Sequence, residues 1–208
     1  MTLANKFTTS RLIMAPVFFV IYLLPRFLPS NFAFMPADGG NIPIGVLCSI
    51  TILWLIFFLS WISDLLDGHI ARKRGEVSDF GKVFDPFADT LAQITFFFCF
   101  VLDGILSPLF FLAVLYREFS ILFVRNLMLK KGIAMGARMG GKIKTVAYIS
   151  AVGLALLASS LLRLGFGGEI YRWSVIAAQV VFIISVIIAV VSFFDYLSVY
   201  KKTPENKY

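Results

Sequence analysis

Four aspartates, Asp64, Asp67, Asp85 and Asp89, fall within 26 residues, together with Gly68, Ala71, Arg72 and Gly81. Asp64 and Asp67 are three apart and Ala71 lies four beyond Asp67, so on a helix they share a face. Gly81, Asp85 and Asp89 are spaced by four and make a second stripe. A break at Gly75 lets the two stripes face each other across a turn. Facing pairs of carboxylates with no histidine or cysteine ligand suit hard divalent cations such as Mg²⁺ or Mn²⁺. Without cations, four carboxylates in one place would repel strongly. Arg72 adds a planar, always-charged donor suited to phosphate. Gly68, Ala71 and Gly81 clear space for a ligand close to the backbone. Metals, an arginine and cleared space together describe a pyrophosphate site, where cations neutralise phosphate charge and stabilise a leaving group. His69, the one histidine, is given no role.

The elements that hold these residues are membrane helices. The chain has 208 residues, is 59% hydrophobic and contains 23 Phe, beyond the usual share for a soluble domain. Apolar runs of about twenty residues recur, the length needed to cross a bilayer. The spacing predicts an all-α integral membrane protein forming a single catalytic domain over residues 1–208. Its six transmembrane helices are expected at about 8–24, 44–74, 80–102, 108–129, 142–162 and 170–200. Thr8 is expected to cap the first helix, and Ser78 or Asp79 the third. The first apolar run continues to about Leu24 without a small-residue cleavage site, so a cleavable signal peptide is not expected. Cys48 and Cys99 sit in apolar runs and read as small core residues.

The second helix is about 46 Å long at 1.5 Å per residue, several turns more than a ~30 Å hydrocarbon core needs. Its surplus is the charged end, Asp64 to Arg74. Only Thr90 to Leu102, a largely apolar stretch, separates Asp89 from Asp103. Asp85 and Asp89 therefore fall just inside the membrane boundary, where carboxylates are costly and mark function. A solvated helix end accounts for Arg72, Lys73 and Arg74 but not for these two.

Six helices put both termini on one side. Fourteen of the nineteen Lys and Arg fall on that side, against Arg26, Arg163 and Arg172 on the other, with Arg117 and Arg125 inside the membrane. The positive-inside rule then places the termini and the acidic stretch in the cytoplasm, at the inner membrane. The net charge of +7 reads as topology, with no nucleic-acid partner.

The stretch matches D-x2-D-G-x2-A-R-x8-G-x3-D-x3-D at every fixed position. In this it resembles the CDP-alcohol phosphotransferase family, and the six-helix layout extends the likeness over most of the chain. The resemblance implies that a CDP-linked donor such as CDP-diacylglycerol binds here, that an alcohol attacks its lipid-bearing β-phosphate, and that CMP leaves. It implies two divalent cations, Mg²⁺ or Mn²⁺, on Asp64, Asp67, Asp85 and Asp89, with Asp89 also the base for the acceptor hydroxyl. It implies that Asp64, Gly68, Ala71, Arg72, Ser78 and Gly81 line the CMP part, and that the protein is a homodimer among membrane lipids.

The acceptor is a separate question. Arg117 and Arg125 are eight apart on one predicted helix, with Glu118 adjacent, and Arg138, Lys142 and Lys144 follow in the next turn and helix. Gathered beside the metals, they suit a phosphorylated polyol better than a neutral alcohol. The segments Asn5–Thr8 with Arg11 and Pro16, Arg117-Glu118-Phe119 with Arg125, and Gly141-Lys142-x-Lys144-Thr145 are similar to the bacterial phosphatidylglycerophosphate synthase branch of the family. That likeness implies sn-glycerol 3-phosphate as acceptor and makes Thr8 and Arg11 possible site residues. Thr90 departs from the lysine usual in that branch, and inositol phosphate is the alternative acceptor. Membrane prenyltransferases carry two acidic motifs far apart, and a divalent-cation transporter would line a path through the membrane with carboxylates; one compact cluster near one face fits neither. No role is assigned to Asp195.

Overall fold

The computed structural model describes residues 3–27, 42–74, 79–132 and 139–202, with side chains except at 3–7, 64–74, 79–80, 82 and 139. Among the described residues the fold is entirely helical. The elements are α1 (Leu3–Phe27), α2 (Ile44–Arg74), α3 (Asp79–Leu102), α4 (Pro108–Lys130), α5 (Met139–Arg163) and α6 (Gly168–Lys202). Five of them are long and apolar enough to cross a membrane. The exception, α4, has a comparable length of 23 residues but carries Arg117, Glu118 and Arg125, so its composition hides what its burial reveals. Arg117 and Glu118 face inward and are buried.

α1 begins five residues before Thr8. Thr8 therefore does not cap the helix; it lies inside it, and its hydroxyl reaches another element. Pro16 and Pro25 are accommodated within α1, as neighbours in a helical bundle allow.

Short links force neighbouring helices antiparallel. Between α3 and α4 the chain reverses with Gly104 at φ +70°, a conformation that costs other residues steric strain. Ile105 N–H and Leu106 N–H both donate to Phe100 O, and their side chains are buried. Pro108 then opens α4, where its missing N–H costs nothing.

Two kinds of packing close the bundle. α5 and α6 pack extensively against each other, and both bury small residues: Ala151, Ala155 and Ala158 on one helix, Ala178, Ser185 and Ala189 on the other. Small side chains are how helices associate where lipid is as apolar as the protein. Around α3 the core is aromatic instead. Phe18 meets Phe96 edge-on at 4.6 Å between centroids, and Phe97 meets Tyr148 at 5.1 Å and Phe182 at 4.9 Å. The outward faces carry exposed Ile13, Val20, Leu55, Leu109, Val191 and Phe194, as a lipid-facing surface requires.

The helix ends away from the termini are tied by a polar clasp. Asp103 accepts from Tyr22 and from Arg26, while Arg163 donates to Tyr22 O at 2.8 Å. This fixes α1, α3 and α5 at one end and leaves the opposite ends, which bear the acidic stretch, to frame a cavity.

Candidate active site

The N-terminal half of α3 forms one wall. Its period places Gly81, Asp85, Asp89 and Gln93 four apart, hence on one face. Asp85 and Asp89 line a cavity of about 280 Å³, along with Thr90 and Gln93. The opposite wall comes from α4 and α5: Arg117, Glu118 and Arg125 from the first, Gly141, Lys142, Lys144 and Thr145 from the second. Tyr196 of α6 completes it.

α1 backs the acidic wall. Thr8 Oγ1 donates to Asp85 Oδ1 at 2.5 Å, and the buried Arg11 guanidinium pairs with Asp89. These contacts explain why a threonine and an arginine sit three apart near the start of an apolar helix: they turn the same face toward α3. Arg11 supplies Asp89 with a buried counter-charge from the neighbouring helix.

The basic wall is organised by Glu118. Its Oε1 accepts from Arg117 Nη1 at 2.9 Å, from Lys144 Nζ at 3.0 Å and from Tyr148 Oη at 3.1 Å. Arg117 also donates through Nε to Ala189 O at 3.0 Å, and Nη2 lies 3.4 Å from Ser192 Oγ. Arg117 and Lys144 are thus held by protein groups at the cavity wall. Together they carry two positive charges against one negative, so the cluster keeps a net positive field toward the cavity. Arg125 and Lys142 are less committed. Arg125 lies 3.4 Å from Tyr196 Oη and 5.5 Å from its ring centroid, while its Nε makes no hydrogen bond among the described residues. Lys142 is exposed at the cavity mouth.

Glycines let these helices meet. A Cβ on Gly141 would stand 3.3 Å from Tyr196 Oη, and one on Gly140 would stand 3.3 Å from Ser192 Cβ. Both are tight contacts, so the Gly140-Gly141 pair allows the start of α5 to press against α6 and brings Lys142 and Lys144 to the cavity.

The sequence-predicted residues divide as follows. Asp85, Asp89, Arg117, Arg125, Lys142 and Lys144 share one cavity, and Thr8 and Arg11 stand directly behind its acidic wall. Gly81 is buried on α3. Asp64, Asp67, Gly68, Ala71 and Arg72 lie on the last turns of α2, with side chains outside the described residues. Ser78 and Arg138 lie outside them altogether. Among the described residues no group of three His, Cys, Asp or Glu side chains gathers. The two α3 carboxylates that line the cavity are hard oxygen donors with no imidazole or thiol beside them among the described residues, a donor set that fits Mg²⁺ or Mn²⁺.

Sequence reasoning assigned nothing to Glu118, Tyr148, Tyr196 or Gln93. For Glu118 a signal existed, since an acid in mid-helix next to an arginine needs a buried cation. For Tyr148 it lay in the four-residue spacing from Lys144, which puts both on one face. Tyr196 and Gln93 gave none, because contacts between helices decide their roles.

The family model described as CDP-alcohol phosphatidyltransferase matches residues 1–191. The CDP-diacylglycerol–glycerol-3-phosphate 3-phosphatidyltransferase of Treponema pallidum (strain Nichols) is 37% identical over 201 residues, covering 96% of this chain and 89% of that protein. The Bacillus subtilis (strain 168) protein of the same name is 31% identical over 155 residues, covering 74% of this chain and 76% of its own.

Proposed function

This chain belongs to the CDP-alcohol phosphatidyltransferase family, and from that membership we propose that it transfers the phosphatidyl group of CDP-diacylglycerol to sn-glycerol 3-phosphate, releasing CMP and phosphatidylglycerol phosphate. The observation that carries this reading is the shared cavity, with two carboxylates on α3 facing the cationic residues of α4 and α5. A phosphorylated alcohol spans such a site, its hydroxyl at the acids and its phosphate at the bases. The names of the Treponema and Bacillus relatives support the same acceptor.

In this reading Asp64, Asp67, Asp85 and Asp89 would hold two divalent cations, Mg²⁺ or Mn²⁺, which when bound neutralise the pyrophosphate and stabilise departing CMP. Arg72, Gly68, Ala71, Ser78 and Gly81 line the CMP portion. Asp89 takes the proton from the acceptor hydroxyl as its oxygen bonds to the β-phosphorus and the P–O bond to CMP breaks. Thr8 holds Asp85 and Arg11 holds Asp89, so neither carboxylate must reorganise to act. Arg125 and Lys142 bind the acceptor phosphate, with Arg117, Lys144 and Arg138 adding positive field. The positive-inside distribution supports a site facing the cytoplasm, at the inner membrane of a homodimeric protein. There a donor lipid keeps its tails in the bilayer while its headgroup reaches the aspartates.

Purified protein with Mg²⁺ or Mn²⁺, labelled CDP-diacylglycerol and glycerol 3-phosphate is expected to release CMP. No release under those conditions sinks the proposal; release with inositol phosphate but not glycerol 3-phosphate reassigns the acceptor. Arg125→Ala is expected to raise the KM for the acceptor about tenfold or more, as loss of a charged hydrogen bond does, and to leave the KM for the CDP donor unchanged. Equal rises in both would remove Arg125 from the acceptor site.

A further inference from the structure

Gln93 is a polar residue in the apolar part of α3, 6% exposed. Its carbonyl Oε1 is buried and accepts no hydrogen bond among the described residues. A buried amide left unpartnered costs free energy, so a side chain of this kind within a membrane helix calls for a ligand. Gln93 lines the cavity that holds Asp89, Thr90, Arg125 and Lys142. It follows Asp89 by four residues, one helical turn deeper. Helical side chains lean toward the helix N-terminus, so its amide reaches back toward the Asp89 carboxylate. The neighbouring wall position is Thr90, also buried. The deep end of the acidic wall is therefore neutral and polar, where the basic wall is charged.

We propose that Gln93 is a specificity residue that hydrogen-bonds the hydroxyl next to the reacting hydroxyl of the acceptor, so that the site selects a vicinal diol phosphate. This rests on the acceptor-phosphate reading above and deepens it. If Arg125 and Lys142 hold the phosphate and Asp89 takes the proton from the terminal hydroxyl, the central hydroxyl of a three-carbon acceptor is the group left to place. It lies on the carbon adjacent to the reacting end, within reach of a side chain one turn from Asp89. A hydroxyl both donates and accepts, so either end of the amide can pair with it. The donor's pyrophosphate and CMP portions are assigned to the other side of Asp89, toward Gly81 and the end of α2. Donor binding thus leaves Gln93 available to the acceptor.

The competing role is internal. Gln93 and Asp89 also border a second, smaller cavity of about 10 Å³ with Arg11, Ser60 and Trp61. That is about the least space that holds one water, and Trp61 Nε1 likewise makes no hydrogen bond among the described residues. A water shared with Trp61 would satisfy Gln93 without any part in recognition.

Two acceptors separate these roles. Glycerol 3-phosphate and 3-hydroxypropyl phosphate share the phosphate and the reacting primary hydroxyl, and differ only in the central hydroxyl. The wild-type protein is expected to prefer glycerol 3-phosphate about tenfold in kcat/KM, the scale of one hydrogen bond made in the site. Gln93→Met keeps length and volume but removes the amide; its preference is expected to fall to near unity, with the KM for CDP-diacylglycerol unchanged. A wild-type protein that uses both acceptors equally overturns the inference whether or not the variant folds. So does a Gln93→Met protein that keeps the full preference, the outcome expected of the water-bound role. In either of those cases phosphorylated acceptors are still turned over, so the parent proposal survives. Absence of CMP release with both acceptors in the wild type overturns the parent proposal and this one together.

Discussion

Asp89→Asn is expected to lower CMP release by about 10²–10⁴-fold, the range for removing a general base, in protein that still inserts as a monodisperse helical bundle. Asparagine matches aspartate in size, so the packing of α3 against α1 is kept. What it loses is the charge and the oxygen that can accept a proton. With Asp89 as the proposed base the effect should fall on kcat, since the proton would then move only as the acceptor oxygen bonds to phosphorus. The acceptor phosphate, whose proposed partners Arg125 and Lys142 lie on the opposite wall, should bind as before. Substitution also strips Arg11 of its partner on α3, so the retained fold must be shown alongside the lost activity, by size-exclusion profile and far-ultraviolet dichroism. Wild-type turnover in a folded Asp89→Asn protein would take Asp89 out of the chemistry.

Much of this fold was legible because membrane helices announce themselves. Their apolar runs are long, and Gly104 and Pro108 mark one reversal between them. The stripe of Gly81, Asp85 and Asp89 was legible too, since a four-residue spacing fixes a shared face whatever the helix packs against. Less legible was anything set by how two helices meet. Thr8 looked like a cap because it is a threonine before an apolar run; only the start of α1 at Leu3 shows that it sits inside the helix and bonds Asp85 instead. Arg117 read as a phosphate ligand for its charge and depth. Three of its guanidinium nitrogens face Glu118, Ala189 O and Ser192, two of these partners on α6, which lies far along the chain. No local pattern carries that information. The same limit hid the difference among the cations, between Arg117 and Lys144, tied closely to protein groups, and Arg125 and Lys142, less so.

That difference makes Glu118 the position with the largest expected effect on stability. Arg117, Glu118 and Lys144 are 6%, 2% and 8% exposed, so none can shed its charge into water. Two cations meet one anion, and Glu118 Oε1 accepts from both of them and from Tyr148. Glu118→Gln keeps the shape and an acceptor oxygen but removes the negative charge, leaving two buried cations facing each other across an amide. Breaking a buried ion pair on one side costs about 3–5 kcal/mol, a large share of the stability of a domain this size. The variant is expected to unfold at correspondingly lower denaturant in detergent, and adding Lys144→Met should restore part of the loss by removing one of the stranded charges. Such recovery is the mark of direct coupling. Were Glu118 an ordinary wall residue, the two substitutions would simply add, and Glu118→Gln alone would be nearly neutral. The cluster joins α4 to α5 through Lys144 and Tyr148, and Arg117 carries it on to α6 through Ala189 O. Its loss should therefore loosen the basic wall as a unit and raise the acceptor KM with it. The acidic wall, built on α1 and α3 and clasped at its far end by Asp103, would keep its place.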